Sequence, residues 1–241
     1  MEELAARQGT IKPSSGVLFA RNVDGEQKSA ARQRVLELFT LPQWPGHLHM
    51  LTMPGVQWRF ERKLLAMRHP GWTRSPSPWR TYFTSTENDR AIFFAAVAEM
   101  PGLHTPQSSL KRIKNYPFAE MGVRTRFASL FFANIDDLMA QTSWSEGWHA
   151  VWLDYSGPLS VERLAIIRQF YRDYIKGILI ITALKGRWNQ ATNQAIHQAG
   201  GYSNWLRNTF DGELLHDLEY FDTSPMVQFA VQKRSALWFW Q

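Results

Sequence analysis

A chain of 241 residues that is 44% hydrophobic can bury one substantial core, and with no cysteine it has neither disulfides nor zinc–thiolate sites. Its formal charge of +6 favours a polyanionic partner, DNA or RNA. No apolar run approaches the ~20 residues of a membrane span and the N-terminus lacks a signal-peptide core, so the sequence predicts a soluble, cytoplasmic protein with no membrane partner.

Residues 1–27 are rich in glycine, proline and serine and weakly periodic, which predicts an N-terminal arm ahead of a single domain over 28–241. Arg7, Lys12 and Arg21 on that arm suit a phosphate backbone, and a solvated tail accounts for them equally. Lys28–Phe39 has the spacing of a helix with Val35, Leu36 and Phe39 inward. His47–Pro54 reads as the first strand. His47 and His49 share a face of it, but no third ligand sits nearby and no metal is expected. Met53-Pro54-Gly55 ends the strand and Val56–Met67 follows as a helix, with Phe60, Leu64 and Met67 on one face. A strand, a tight turn and a helix aim free N–H groups at a polar or anionic ligand. The single glycine falls short of the G-x-G-x-x-G pattern of a tightly held pyrophosphate.

Arg68–Arg80 is a loop in which Trp72 and Trp79 alternate with cations such as Arg74. That composition serves single-stranded nucleic acid, and it equally serves a loop pinned to the body by its tryptophans. Thr81–Glu87 is a β-branched and aromatic strand, and Arg90–Met100 a helix. Glu87 at the strand tip is placed to accept ribose hydroxyls; capping of the helix is the structural alternative for this Glu-Asn-Asp run. Gly102–Gly122 is irregular, with Lys111, Arg112 and Lys114 as a small basic cluster. Val123–Ser129 suggests a third strand and Leu130–Gln141 a helical turn, which sets Ser129 and Leu130 at the sheet edge.

Ala150–Leu153 runs apolar into Asp154, and Tyr155-Ser156-Gly157-Pro158 closes it, as expected of a strand buried on both faces. Ser160 is a candidate N-cap for a helix carrying Val161, Leu164, Ile167, Tyr171 and Tyr174 on its inner face. Gly177–Ala183 is a fifth strand. In a parallel sheet this unit brings Asp154, Tyr155 and Lys185 to the carboxyl edge, where open α/β sheets bind ligands. After Lys185-Gly186-Arg187-Trp188, the region Asn189–Phe210 is helical with a break at Gly200-Gly201. Glu213–Asp222 and Met226–Lys233 read as an antiparallel hairpin, and the apolar tail ending in Trp240 is expected to dock on the body.

This order of elements, from His47 to Lys233, resembles the class I S-adenosylmethionine-dependent methyltransferases. Three places carry the likeness: Met53-Pro54-Gly55 in the first loop, Glu87 at the second strand tip, and Asp154-Tyr155-Ser156-Gly157 after the fourth strand. The resemblance implies an α/β, Rossmann-like, mostly parallel sheet with helices on both faces and a C-terminal antiparallel hairpin. It implies S-adenosylmethionine as cofactor, held by Met53, Pro54, Gly55, Glu87, Ser129 and Leu130. It also implies Asp154 and Tyr155 as catalytic residues, the tyrosine as a stacking face for a planar nitrogen acceptor such as a nucleic-acid base. Ser156, Gly157, Lys185, Arg187, Trp188, Trp72 and Arg74 would contact that acceptor. Two family features are missing: the further glycines of the first loop, and the paired prolines after the fourth strand in amine-methylating members. An inactive Rossmann-like module binding nucleic acid or protein is therefore the alternative. A serine hydrolase built on Ser156 is disfavoured because Asp154 occupies the position of the first elbow glycine, and no phosphate-loop signature occurs.

Overall fold

The computed structural model describes residues 25–40, 44, 47–68, 80–103, 111–113, 117–140, 144, 147–221 and 224–234. Residues 1–24 of the expected N-terminal arm, the Trp72 and Arg74 loop, Lys114 and the apolar C-terminal tail lie outside them; Glu26 and Gln27, assigned to the arm by sequence, belong to the first helix instead. Chain order is α1 (Glu26–Glu37), β1 (His47–Thr52), α2 (Arg59–Arg68), β2 (Arg80–Glu87), α3 (Arg90–Ala98), β3 (Lys111–Ile113), β4 (Met121–Arg124), β5 (Ala128–Phe132), α4 (Ile135–Met139), β6 (Trp148–Asp154), α5 (Val161–Tyr174), β7 (Ile175–Leu184), α6 (Gln190–Gln198), α7 (Tyr202–Thr209), β8 (Gly212–Phe221) and β9 (Pro225–Lys233).

Among the described residues, nine strands form one sheet in the order β3-β4-β5-β2-β1-β6-β7-β9-β8. The five strands β5-β2-β1-β6-β7 are parallel, and β9 enters antiparallel between β7 and β8. This is the expected Rossmann-like sheet with its closing hairpin. Alternation along the strands divides the core into two layers. Leu48 and Met50 of β1 face α1, α2 and α3, together with Val35, Phe60, Leu64 and Phe93. Leu51 faces the other way, into the layer that Ile167 and Phe170 of α5 share with Trp205 of α7. Helices thus cover both faces because the central strands are apolar on both.

Several boundaries differ from the sequence reading. Val123–Ser129 is not one strand: β4 and β5 are an antiparallel pair folded about Thr125. The Thr125 hydroxyl accepts the amides of Phe127 (3.3 Å) and Ala128 (3.2 Å) and donates to the Pro101 carbonyl (2.7 Å), which fixes the reversal. A further pair, β3 with β4, extends the sheet on that side. The helix after β1 begins at Arg59, because Val56 and Gln57 form a turn and Trp58 has φ 50°. The break between α6 and α7 falls at Gly200 (φ 75°) and Gly201 (φ 129°), conformations that favour glycine.

His49 illustrates how a polar residue is accommodated in this sheet. Its Nε2 lies 2.8 Å from Thr84 Oγ1, and its amide donates to His149 Nδ1 at 3.0 Å. Burial, and then the neighbouring His149, His47 and Lys176, push its pKa down to about 4. The unfolded chain, with the ordinary value near 6.5, binds that proton first as pH falls. Stability is therefore complete above pH ~6.5 and is lost as pH falls towards 4. Melting curves across that window should show the loss, and His49→Gln should flatten it.

Candidate functional site

The strand order reverses between β1 and β6, and both strands end at the same edge. β1 stops at Thr52 and the chain turns through Met53, Pro54 and Gly55, with the Gly55 carbonyl accepting the Trp58 amide at 3.1 Å. β6 stops at Asp154, and the Tyr155 amide is tied back to the Thr182 carbonyl at 2.8 Å. Between the two ends lies a cleft lined by Arg32 of α1, the run from Met53 to Glu61, and Trp152 and Asp154 of β6. A Cβ placed on Gly55 or on Gly157 would meet no atom within 4 Å, so the rim on both sides is open.

The cleft is small, about 40 Å3 in volume. Trp58 accounts for much of the filling. It is fully buried, and its indole N–H donates to the Ala96 carbonyl at 2.8 Å, which compensates its strained φ. Phe60 meets Trp152 edge to face at 4.6 Å on the cleft's inner side. Among these apolar groups sits Glu61, only 3% exposed. Burial raises its pKa above the usual carboxylate range. Its own amide, the Thr52 hydroxyl and Arg32 oppose the rise, and Asp154 adds to it. Thr52 is in turn 2.9 Å from the Ser85 hydroxyl.

No protein-family model matches this sequence, and no curated protein matches it. Among solved structures, the methyltransferase subunit of a type I restriction-modification system from Streptococcus thermophilus aligns with TM-score 0.55 and 11% identity. The match covers 90% of this chain and 47% of that one. A Haemophilus influenzae protein named as a candidate methylase aligns with TM-score 0.50 and 10% identity, over 84% of this chain and 88% of that one. The chain has the class I methyltransferase fold.

Within the class I methyltransferase fold, the residues expected from sequence fall into three groups. Met53, Pro54, Gly55 and Asp154 come together around the cleft, with Ser156 exposed and Gly157 open beside them. Glu87 ends β2 at the same edge but does not line the cleft. Its Oε1 accepts the Asp89 amide at 2.8 Å, while Asp89 caps α3 through the amides of Ala91 and Ile92. Burial pushes the Glu87 carboxyl up to about 6; the amides of Asp89 and Asn88 oppose the rise and the Asp89 charge adds to it.

The third group lies away from the cleft. Ser129 and Leu130 are buried inside β5, not at its carboxyl end, because β5 begins at Ala128 and runs on to Phe132. The Ser129 hydroxyl is 2.6 Å from Tyr82 Oη and accepts from Arg124 Nε at 3.3 Å. Tyr155 is not an open stacking face. It is 5% exposed, its hydroxyl donates to Asp136 at 3.2 Å, and the Arg163 guanidinium lies 4.7 Å over its ring. Lys185 pairs with Glu219 of β8. Arg187 is exposed at φ 57°, and Trp188 stacks on Tyr202 at 5.4 Å. Trp72 and Arg74 are outside the described residues.

The cleft also holds residues that the local sequence does not announce, among them Arg32, Arg59 and Glu61. Arg32 sits on a helix whose apolar pattern says nothing of a ligand. Glu61 resembles an ordinary acidic first-turn residue favoured by the helix dipole. The signal for it was its position on the stripe of Leu64 and Leu65, which marks the buried face. A groove of about 720 Å3 between α5 and α7 shares no residue with the cleft.

Because the folded pKa of Glu87 is raised, the group stabilises the fold below the usual carboxylate range, and that contribution is lost as pH rises through 6. Glu87→Gln should therefore raise the melting temperature at neutral pH and leave it unchanged near pH ~4.

Proposed function

We propose that the chain is an S-adenosylmethionine-dependent methyltransferase, acting on a planar nitrogen acceptor such as a nucleic-acid base. The observation that carries this reading is the cleft at the β1–β6 reversal, where the first loop and Asp154 meet. Ligands bind at that position in open α/β sheets. The net charge of +6 favours a nucleic-acid acceptor. One structural neighbour is named as the methyltransferase subunit of a restriction-modification system, which is compatible with that choice.

The donor set fits a cationic cofactor. Asp154 and Glu61 both line the cleft, so two carboxyl groups face a cation entering it, while Glu87 ends β2 at the same edge outside the lining. Ligand pockets usually offer roughly 300 Å3 or more; this cleft, at about 40 Å3, would take only a small headgroup of the cofactor, and the open rim at Gly55 would leave room for the remainder. Bound there, S-adenosylmethionine supplies a methyl carbon already activated by its sulfonium. The chain then needs chiefly to position the acceptor and exclude water. Asp154 accepts a hydrogen bond from the acceptor nitrogen and turns its lone pair towards that carbon. Met53 and Pro54 form the wall beneath, and Arg32 is placed for the carboxylate of the amino-acid portion. Tyr155 contributes by holding the loop through Asp136 and Arg163 and not by stacking.

A non-catalytic binding module is the second reading, favoured by the small hollow and the buried Tyr155. Thermal shift and calorimetry with S-adenosylmethionine and S-adenosylhomocysteine separate the two, since a ligand of the folded state raises the melting temperature. Binding, followed by transfer of labelled methyl to nucleic acid, is the expected outcome. Asp154→Ala should lower transfer by on the order of 100-fold with the fold retained. Absence of binding by either compound would remove the methyltransferase reading.

A further inference from the structure

We propose that Glu61 is the specificity residue of the cleft, binding a cationic headgroup, sulfonium or ammonium, with release of a proton. The inference rests on the methyltransferase reading and gives one of its cleft carboxyl groups a specific role.

Glu61 is set by the first turn of α2, directly after the Met53–Gly55 turn, and it lines the same cleft as Asp154. The whole cleft that it lines offers about 40 Å3, room for a small group such as a methylated sulfur or an ammonium rather than for a ring system. Its neighbours are Thr52 from β1, Arg32 from α1 and Asp154 from β6, with Arg59 lining the cleft from its own helix. Burial is the main penalty on the Glu61 charge, and Asp154 across the hollow disfavours that charge further. Arg32 offsets part of this, but burial still dominates at Glu61. A cation entering between the two acids reverses the balance, because its attraction is strongest where water is excluded. The carboxyl O–H bond then breaks, the proton passes to solvent, and the carboxylate remains beside the bound cation. Thr52 keeps its hydrogen bond in either state, since its hydroxyl can donate to the carboxylate or accept from the acid.

The test is calorimetric titration of the full chain with S-adenosylmethionine and S-adenosylhomocysteine, in buffers of different ionisation enthalpy, from about pH 5.5 to 8. Release approaching one proton per ligand is expected at the acidic end, with affinity rising as pH rises until free Glu61 is ionised without ligand. Release with S-adenosylmethionine alone identifies the sulfonium as the headgroup; release with both compounds identifies the ammonium, which they share. Glu61→Gln, nearly isosteric and able to keep the Thr52 bond, should abolish the release and weaken binding at least tenfold at the alkaline end. Binding by the wild type without proton release, or unchanged affinity in Glu61→Gln, overturns the role of Glu61 and leaves the methyltransferase reading standing. Failure of both compounds to bind the wild type overturns both.

Discussion

Everything at the rim follows from the handedness of two crossovers. The chain leaves β1 through α2 to reach β2 on one side, and leaves β6 through α5 to reach β7 on the other. Right-handed connections running in opposite directions put their helices on opposite faces. The side chains agree: α2 packs in the layer of α1 and α3, and α5 in that of α4, α6 and α7. At the reversal neither helix roofs the gap between the strand ends. Gly55 and Gly157 therefore look into open space, and the first loop and Asp154 become neighbours although about a hundred residues separate them.

The gap is stabilised by polar contacts as well as by packing. Thr52 meets Ser85 across β1 and β2. Farther along, the Trp152 indole donates to Thr182 at 3.0 Å, Gln228 reaches the same hydroxyl at 3.3 Å, and His216 lies 3.1 Å from Gln228. Buried polar groups of this kind are tolerated because each has a partner. They tie neighbouring strands together side chain to side chain, near the edge where rigidity matters to a bound ligand. Trp58 adds packing to that stiffness at the expense of space within the cleft.

Much of the fold is legible in the sequence because its central strands are apolar and its turns are punctuated by glycine and proline. The helix from Val161 begins at the Ser160 cap, whose hydroxyl accepts the Arg163 amide at 3.2 Å, and the closing hairpin has the expected partners. The region after Gly102 is illegible in sequence because β4 and β5 are short and their reversal depends on one threonine hydroxyl rather than on a glycine or proline. A single strand drawn through it moves Ser129 and Leu130 to the rim. Tyr155 is illegible for another reason: sequence gives its place after the strand but not the direction of its ring, which Asp136 and Arg163 decide from distant segments. Arg32 and Glu61 reach the cleft only through tertiary packing, which local periodicity does not encode.

Both margins of the sheet carry devices against uncontrolled association. At one margin β3 is only three residues long, and Lys111 and Arg112 project from it into solvent. Short strands and like charges discourage a second sheet from adding on by edge-to-edge pairing. At the other margin the ten-residue β8 would be a far better template, but α1 packs against it, and the Gln27 side chain accepts the Phe221 amide at 2.7 Å. The helix that lends Arg32 to the cleft is thus also the guard of the longer margin. Detaching it would expose a long strand edge to pairing at the same moment that it took one of the two arginines from the cleft.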